Sequence, residues 1–197
     1  MFLHSRPRGN TKIHDLCVLA ILNDKSFLDR ITGAIGDQWN DAVIGGHYRE
    51  TEVDENLRST HEQRVNIDKY GFPLETILQW VDNLNRSTWN FSLKGMNLST
   101  DCPSILRYDV GQKFDWHFDV MPKEPTRKLG FSLQLSEDTD YEGGDLEIYG
   151  VDEKSTKQFR TRGALIVFPS YVWHRITPVT KGQRLAMVGW VHGDTFQ

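Results

Sequence analysis

The 197-residue chain has few cysteines, little net charge and no long apolar run. The two cysteines, Cys17 and Cys102, are far apart and form no CxxC pattern. Two thiols allow one disulfide, but their spacing does not require it, and a reduced intracellular chain is the simpler interpretation. The net charge of −4 and the pI of about 6.0 give no electrostatic reason to expect nucleic acid or an anionic membrane as a partner.

The longest apolar run, Leu16 to Leu22, is far shorter than the roughly 20 residues of a membrane-spanning helix. The N-terminal stretch MFLHSRPRGN lacks the apolar core of a signal peptide. With 38% hydrophobic and 25% charged residues, the composition is typical of a soluble globular protein, and the length suits one domain. We therefore expect a cytoplasmic protein with no membrane partner.

Two segments in the N-terminal half carry apolar residues at helical spacing. The first runs from Phe27 to Trp39, with Ser26 as its expected N-cap. The second runs from Leu74 to Leu84, with Pro73 in its expected first turn. A helix-rich part is thus predicted over about 1–88.

From about Trp89 the pattern changes to short β-like runs that are separated by turn residues. The order of helices followed by strands predicts an α+β fold with an antiparallel sandwich or barrel and helices packed on one side. We expect a single domain over 1–197, with the β core over about 89–193. The polar stretch from about Gly45 to Lys69 is either an ordinary connection or a lid over a site in that core.

The stretch YDVGQKFDWHFDV places His117 and Asp119 two residues apart in an aromatic-rich segment that is predicted to be a strand. Alternate residues of a strand point to one face, so these two side chains would lie side by side, with Trp116 and Phe118 on the opposite face. Such a pair is either a structural hydrogen bond or two ligands of a metal site. By the same alternation Asp115 would share their face.

Two histidines and one carboxylate can bind one face of Fe(II), so a metal site of this kind would need a second histidine. Of the other histidines, His174 stands at the start of a β-like run and is followed ten residues later by Arg184. The same strand pair would then offer a metal ligand and a guanidinium that can bind a carboxylate. His192 is expected to be structural, and Trp173 to pack beside the ligands.

The faces of two later strands are also informative. Arg184 shares its predicted face with Ala186, Val188 and Trp190, which suits an anion bound inside a barrel. On the run KLGFSLQL, Ser132 and Gln134 lie opposite a row of apolar residues. Their face is either exposed to solvent or turned towards the barrel interior, and the pattern leaves both open.

Together the segments YDVGQKFDWHFDV, EGGDLEIYG and ALIVFPSYVWHRITPVTKGQRLAMVGWVHG resemble the Fe(II)/2-oxoglutarate dioxygenase domain of prolyl 4-hydroxylase-like proteins, especially the bacterial and phage-encoded single-domain members. The resemblance covers about 98–193. It implies a double-stranded β-helix, the jelly-roll or cupin-like fold. The residues 57–60, LRST, resemble an Arg-Ser element near the peptide site of some members.

The resemblance also implies the site. His117, Asp119 and His174 would hold Fe(II), and Arg184 would bind the distal carboxylate of 2-oxoglutarate. The further candidates for contact with this co-substrate are Tyr108, Gln134 and Trp190. O₂ would be the second co-substrate, and ascorbate is a candidate reductant. Collagen-type members often have lysine in place of Arg184, which weakens collagen as the expected substrate.

The implied function is hydroxylation of prolyl residues in a peptide or protein, with release of succinate and CO₂. One alternative keeps this chemistry and has a free amino acid or another small metabolite as the substrate. A second alternative is a jelly-roll module that binds a metal without turnover. Arg184 and Tyr108 argue against this alternative, because a binding module does not need a pocket for an oxo acid.

Overall fold

A computed structural model describes residues 10–14, 16–42, 57–65, 67–98, 101–120, 122 and 124–196 of the chain. Positions 45–56 of the proposed lid lie outside the described residues. The helices are α1 (Lys25–Gly33), α2 (Ile67–Thr88) and α3 (Glu153–Gln158). The strands are β1 (Asn10–His14), β2 (Cys17–Ile21), β3 (Asn40–Asp41), β4 (Arg58–Ser59), β5 (His61–Arg64), β6 (Leu93–Gly95), β7 (Ser104–Tyr108), β8 (Lys113–His117), β9 (Arg127–Gln134), β10 (Tyr141–Gly143), β11 (Leu146–Ile148), β12 (Ala164–Pro169), β13 (His174–Ile176), β14 (Val179–Gly182) and β15 (Arg184–Gly193).

The strands form two facing sheets and a short ribbon. The larger sheet has the order β1-β2-β12-β9-β15-β7-β5-β3, and β6 also pairs with β15. The smaller sheet has the order β11-β13-β8-β4, and β10 pairs with β14 as the ribbon. Each pairing is antiparallel, as the short strands and turns of the sequence predicted.

Helices α1 and α2 pack against one face of the larger sheet. Alternate residues of the central strand β9 lie on that face, where Phe131 and Leu133 join a buried cluster with Ile31 of α1 and Ile77 of α2. Burying an aliphatic or aromatic side chain of this size contributes about 1.5–3 kcal/mol. Within the described residues no helix is long and apolar enough to cross a membrane.

The other face of the larger sheet contacts the smaller sheet through a second buried cluster. Tyr108, Ile166 and Phe168 contribute to it from the larger sheet, and Ile148 and Ile176 from the smaller. Both faces of the central strands are therefore covered. For this reason Ser132 and Gln134 are 5% and 1% exposed, and the interior alternative for their face is the one observed.

The boundaries of both N-terminal helices differ from the prediction. The N-cap of α1 is Asp24 rather than Ser26, because a carboxylate oxygen of Asp24 accepts the backbone N–H of Phe27 at 3.0 Å. Helix α1 ends at Gly33, so Trp39, although it packs on the core, lies beyond the helix. Helix α2 begins at Ile67, so Pro73 lies in its interior and not in its first turn.

The N-terminal part also supplies strands that the helical pattern did not predict. The apolar run that contains Cys17 forms β2, which pairs with β12 and joins β1 to the larger sheet. Strands β3 and β5 extend the opposite edge next to β7. A run of seven apolar residues has no period of its own, so only its place between neighbouring elements makes it a buried strand.

Candidate metal and co-substrate site

The two histidines of the predicted triad lie opposite one another on neighbouring strands of the smaller sheet. His117 is the last residue of β8, His174 is the first residue of β13, and the antiparallel ladder pairs them directly. Their ring centroids are 4.2 Å apart. A single strand pairing therefore brings together two residues that are 57 positions apart in the sequence.

A β-bulge precedes His117 and changes the faces of β8. His174 pairs with His117 and Ile176 with Phe114, so two residues of β8 oppose one residue of β13. As a result Phe114 shares the face of His117, and their rings stack at 3.5 Å. The side chain of Asp115 is instead 45% exposed beside Lys113, and the prediction that it shares the ligand face is wrong.

Asp119 lies just beyond β8, in a bend, and not on the strand as predicted. Its backbone N–H donates to the carbonyl oxygen of Ser170, 2.8 Å away, which draws this segment towards the end of β12. Gly130 of β9 permits the approach, because a Cβ at this position would lie 2.9 Å from Asp119 Oδ2. The carboxylate therefore reaches the histidines by way of a bend, not by strand alternation.

The three side chains nevertheless converge as the sequence predicted. His117 Nε2 lies 3.9 Å from one oxygen of Asp119, and His174 Nε2 lies 3.7 Å from the other. One donor atom from each residue falls within 4.8 Å of the others, and among the described residues this is the one group of three that could hold a metal ion. Asp119 and His174 are buried and His117 is half-buried.

Both imidazoles are oriented for coordination. His117 Nδ1 lies 2.7 Å from the carbonyl oxygen of Asp115, and His174 Nδ1 lies 3.0 Å from that of Val172. A carbonyl can only accept, so each Nδ1 carries a proton and Nε2 is the ring nitrogen left to bind a metal. Burial, together with the nearby His174, lowers the pKa of His117 to about 3, so that ring is neutral at physiological pH. Two imidazole nitrogens and a carboxylate fit Fe(II).

The triad forms part of the wall of a cavity of about 240 Å³ between the two sheets. Arg184 and Tyr108 also line this cavity, and the pairing of β15 with β7 places them directly opposite one another. The guanidinium lies 5.5 Å from the centre of the Tyr108 ring. Burial raises the pKa of Tyr108, so its phenol keeps the proton and can donate a hydrogen bond.

Arg184 is 3% exposed, and its guanidinium forms no hydrogen bond or ion pair within the part of the chain that the structure describes. An enclosed charge without a counter-ion is costly, so the cavity is suited to an anion. A dicarboxylate that reaches Arg184 with one end meets this requirement.

The remaining residues that were considered for contact with the co-substrate do not all line the cavity. Trp190 lines the cavity, and its buried indole N–H has no partner in the described segments. Ser132 also lines it. Gln134 is not among the lining residues, and its amide instead donates to the hydroxyl of Tyr141 at 3.1 Å.

Several lining residues were not predicted from the sequence. Arg127 and Asp101 line the cavity and form a buried ion pair, while His192 bonds to Asp101 in the same network. A register shift between β15 and the start of β9 disturbs the alternation there, so no periodic pattern marked Arg127. Leu57 and Arg58 of the LRST element line the cavity too, which the resemblance had suggested.

Residues 103–192 match the model of the 2OG-Fe(II) oxygenase superfamily. This segment, which is less than half of the chain, is similar to that superfamily. The match contains all three members of the triad as well as Arg184, and the cofactor and co-substrates of the superfamily are Fe(II), 2-oxoglutarate and O₂. Ascorbate as a reductant stays a prediction.

Curated relatives are named PKHD-type hydroxylases. One from Idiomarina loihiensis is 40% identical over 90 residues, which is 45% of this chain and 40% of the relative. One from Gloeothece citriformis is 42% identical and is likewise covered over 40% of its length. The chain thus spans about two fifths of these relatives. A PKHD-type hydroxylase of Prochlorococcus marinus is 27% identical over an alignment that covers 89% of this chain and 71% of the relative's length.

Solved structures share the fold at low identity. A Pseudomonas putida prolyl-4-hydroxylase superposes with a TM-score of 0.65 at 18% identity, covering 90% of this chain and 92% of that one. A Trichoplax adhaerens prolyl hydroxylase, solved with a peptide of hypoxia-inducible factor, gives 0.64 at 17% identity, with coverages of 89% and 83%. These matches confirm the predicted jelly-roll core.

Proposed function

We propose that this chain is an Fe(II)- and 2-oxoglutarate-dependent hydroxylase that acts on prolyl residues of a peptide or protein and releases succinate and CO₂. One observation carries the proposal. The triad of His117, Asp119 and His174 lines the same cavity as Arg184, whose buried charge has no counter-ion in the described part of the chain. A metal site and an anion site therefore share one enclosed volume.

Each residue has a defined task in this reaction. His117, Asp119 and His174 would hold the metal through two imidazole nitrogens and one carboxylate. Arg184 orients the co-substrate, because a planar guanidinium can bind both oxygens of a carboxylate and remains charged at any working pH. Tyr108 donates a hydrogen bond from the facing strand. The bound Fe(II), with 2-oxoglutarate and O₂, supplies the oxidising power for C–H hydroxylation.

A polypeptide substrate is favoured by the aromatic residues beside the ligands. Phe118 lines the cavity and is 40% exposed, and its ring meets that of Trp173 edge-on at 5.1 Å. Trp173 is 47% exposed. An exposed aromatic pair next to the metal ligands is suited to contact with residues that flank a target proline, whereas a free amino acid has no such residues. Trp173 was predicted from the sequence to pack beside the ligands, and we propose that it also contacts the substrate.

A screen for oxygenated products tests the proposal. The protein is incubated with Fe(II), 2-oxoglutarate and either proline-containing peptides or free amino acids, and mass spectrometry detects products heavier by one oxygen atom. We expect such products from peptides, together with an equal amount of succinate. Products from free amino acids alone would establish the small-metabolite alternative instead.

A binding measurement separates the enzyme from a metal-binding module. Calorimetry records 2-oxoglutarate binding in the presence of Mn²⁺, which replaces Fe(II) without redox chemistry. We expect 2-oxoglutarate to bind only when Mn²⁺ is present. Binding of Mn²⁺ without any binding of 2-oxoglutarate would identify a non-catalytic module.

A further inference from the structure

Asp119 lies beyond the end of β8, so other parts of the fold must hold it in place. Because β8 ends at His117, no ladder hydrogen bond holds the carboxylate ligand. On one side its backbone N–H is fixed by the carbonyl oxygen of Ser170. On the other side its backbone carbonyl oxygen accepts a hydrogen bond from Nη1 of Arg127, at 3.3 Å. Arg127 is the side chain that anchors this segment from β9.

Arg127 is itself held tightly. Its Nε and Nη2 donate to the two carboxylate oxygens of Asp101, both at 2.6 Å, and its guanidinium lies 4.0 Å from the centre of the Trp190 ring. Asp101 has a second partner, His192 Nε2, at 3.1 Å. Asp101, Arg127 and His192 are 4%, 7% and 8% exposed. A buried bidentate pair of this kind leaves the guanidinium one orientation.

We propose that Arg127 is a positioning residue for the metal site, with Asp101 as its anchor, and that together they set the place of the Asp119 carboxylate. The proposal rests on the proposed function, since it assumes that Asp119 binds the metal. Residues behind metal ligands orient them, and their loss typically weakens metal binding by about 10- to 100-fold. Arg127 contacts the backbone of the ligand and leaves its carboxylate free for the ion.

Both residues also line the cavity, so contact with the substrate is the competing role. The two roles predict different measurements. A positioning residue changes the affinity for metal in the absence of any substrate. A residue that contacts substrate changes the KM of the primary substrate and leaves metal affinity alone.

The experiment measures Mn²⁺ affinity by calorimetry on metal-free protein whose fold is verified by circular dichroism. Arg127→Lys keeps the charge and loses the bidentate geometry, and Asp101→Asn removes one side of the ion pair. We expect each variant to bind Mn²⁺ about 10- to 100-fold more weakly. The double variant should lose little more than either single one, because both act through one network.

A third variant covers the case in which a broken buried pair prevents folding. Replacing both partners, Arg127→Met with Asp101→Leu, removes the charges together, a change that buried ion pairs often tolerate. This variant should fold and still bind Mn²⁺ weakly, because the hydrogen bond to Asp119 is gone.

Arg160 provides a matched control. It also pairs with an aspartate, Asp145, at 2.6 Å, donates to backbone carbonyls and lies 4.1 Å from the centre of the Tyr141 ring, but it does not line the cavity. Arg160→Lys should keep the Mn²⁺ affinity of the parent protein. Equal losses in the Arg160 and Arg127 variants, or a folded Arg127→Lys protein with parental Mn²⁺ affinity, would overturn the proposal. A parent protein that binds no Mn²⁺ would instead refute the proposed function.

Discussion

At the scale of single residues, Arg184 is the buried cation of the candidate co-substrate site. Its buried guanidinium has no counter-ion in the described segments, and the carboxylate of 2-oxoglutarate is proposed to supply one. Arg184→Ala should therefore raise the KM for 2-oxoglutarate at least about 30-fold, since losing a partly buried charged hydrogen bond costs about 2–5 kcal/mol. Steady-state succinate formation measures this.

Arg184→Lys serves as the graded comparison. It keeps the positive charge but cannot bind both carboxylate oxygens in one plane, so we expect a KM between those of the parent protein and the alanine variant. An unchanged KM in Arg184→Ala would remove this residue from the co-substrate site.

Asp119 is the second residue whose role can be isolated. Asp119→Ala removes one of three proposed metal bonds and should abolish both metal retention and turnover. Asp119→Glu keeps the charge but moves the carboxylate by about 1.5 Å, which is large against the roughly 0.2 Å tolerance of metal–ligand distances, so most activity should be lost as well. Iron content and succinate formation are the two measurements.

Asp115 is the natural control for Asp119. It is a nearby aspartate that is turned towards solvent and Lys113, so Asp115→Asn should keep both iron and activity within about two-fold, as surface substitutions usually do. If Asp119→Ala retained iron as well as Asp115→Asn does, the His-x-Asp pair would be a structural hydrogen bond only.

At the scale of elements, the connection between β12 and β13 contains a residue that fixes a proposed metal ligand and a residue that is proposed to contact the substrate. It carries Ser170, whose carbonyl oxygen fixes Asp119, and Trp173, whose ring meets Phe118. Trp173→Ala should raise the KM for a peptide substrate about 5- to 150-fold, the loss of roughly 1–3 kcal/mol that removal of a modest aromatic contact causes. The KM for 2-oxoglutarate should not change.

Tyr149 is a matched control for Trp173. It is 72% exposed and contacts Trp116, and it does not line the cavity. Tyr149→Ala should leave both KM values unchanged. Parallel losses for peptide and 2-oxoglutarate in Trp173→Ala would indicate a distorted His174 and not a substrate contact.

At the scale of the whole molecule, metal binding should be visible as stability. The proposed metal ligands come together only in the folded chain, so Mn²⁺ at 100 times its Kd should stabilise the protein by about 2.7 kcal/mol. For a chain of this size that corresponds to a rise in Tm of roughly 5–10 °C. Thermal unfolding followed by circular dichroism measures the shift, and Asp119→Ala should show none.

Local patterns in the sequence were sufficient to predict much of the fold and of the candidate site. Alternation predicted that Arg184, Val188 and Trp190 share an interior face of β15, and these residues do line one cavity. The pairing of His117 and Asp119 with the distant His174 followed from residue chemistry and family resemblance, and the three side chains do converge. These features depend on residue type and on strand periodicity, both of which are properties of short segments.

Tertiary structure alone decided the rest. The bulge in β8 turned Phe114 to the ligand face and Asp115 to solvent, because the pairing with β13 accommodates two residues against one. The apolar run around Cys17 forms a strand because it pairs with the free edge of β12. Three separate segments of the chain come together at one corner of the larger sheet. This brings Asp101 into contact with both Arg127 and His192. The sequence alone determined which residues are candidates for binding metal and co-substrate, because that depends on residue type, whereas long-range pairing and burial determined what holds these residues in place.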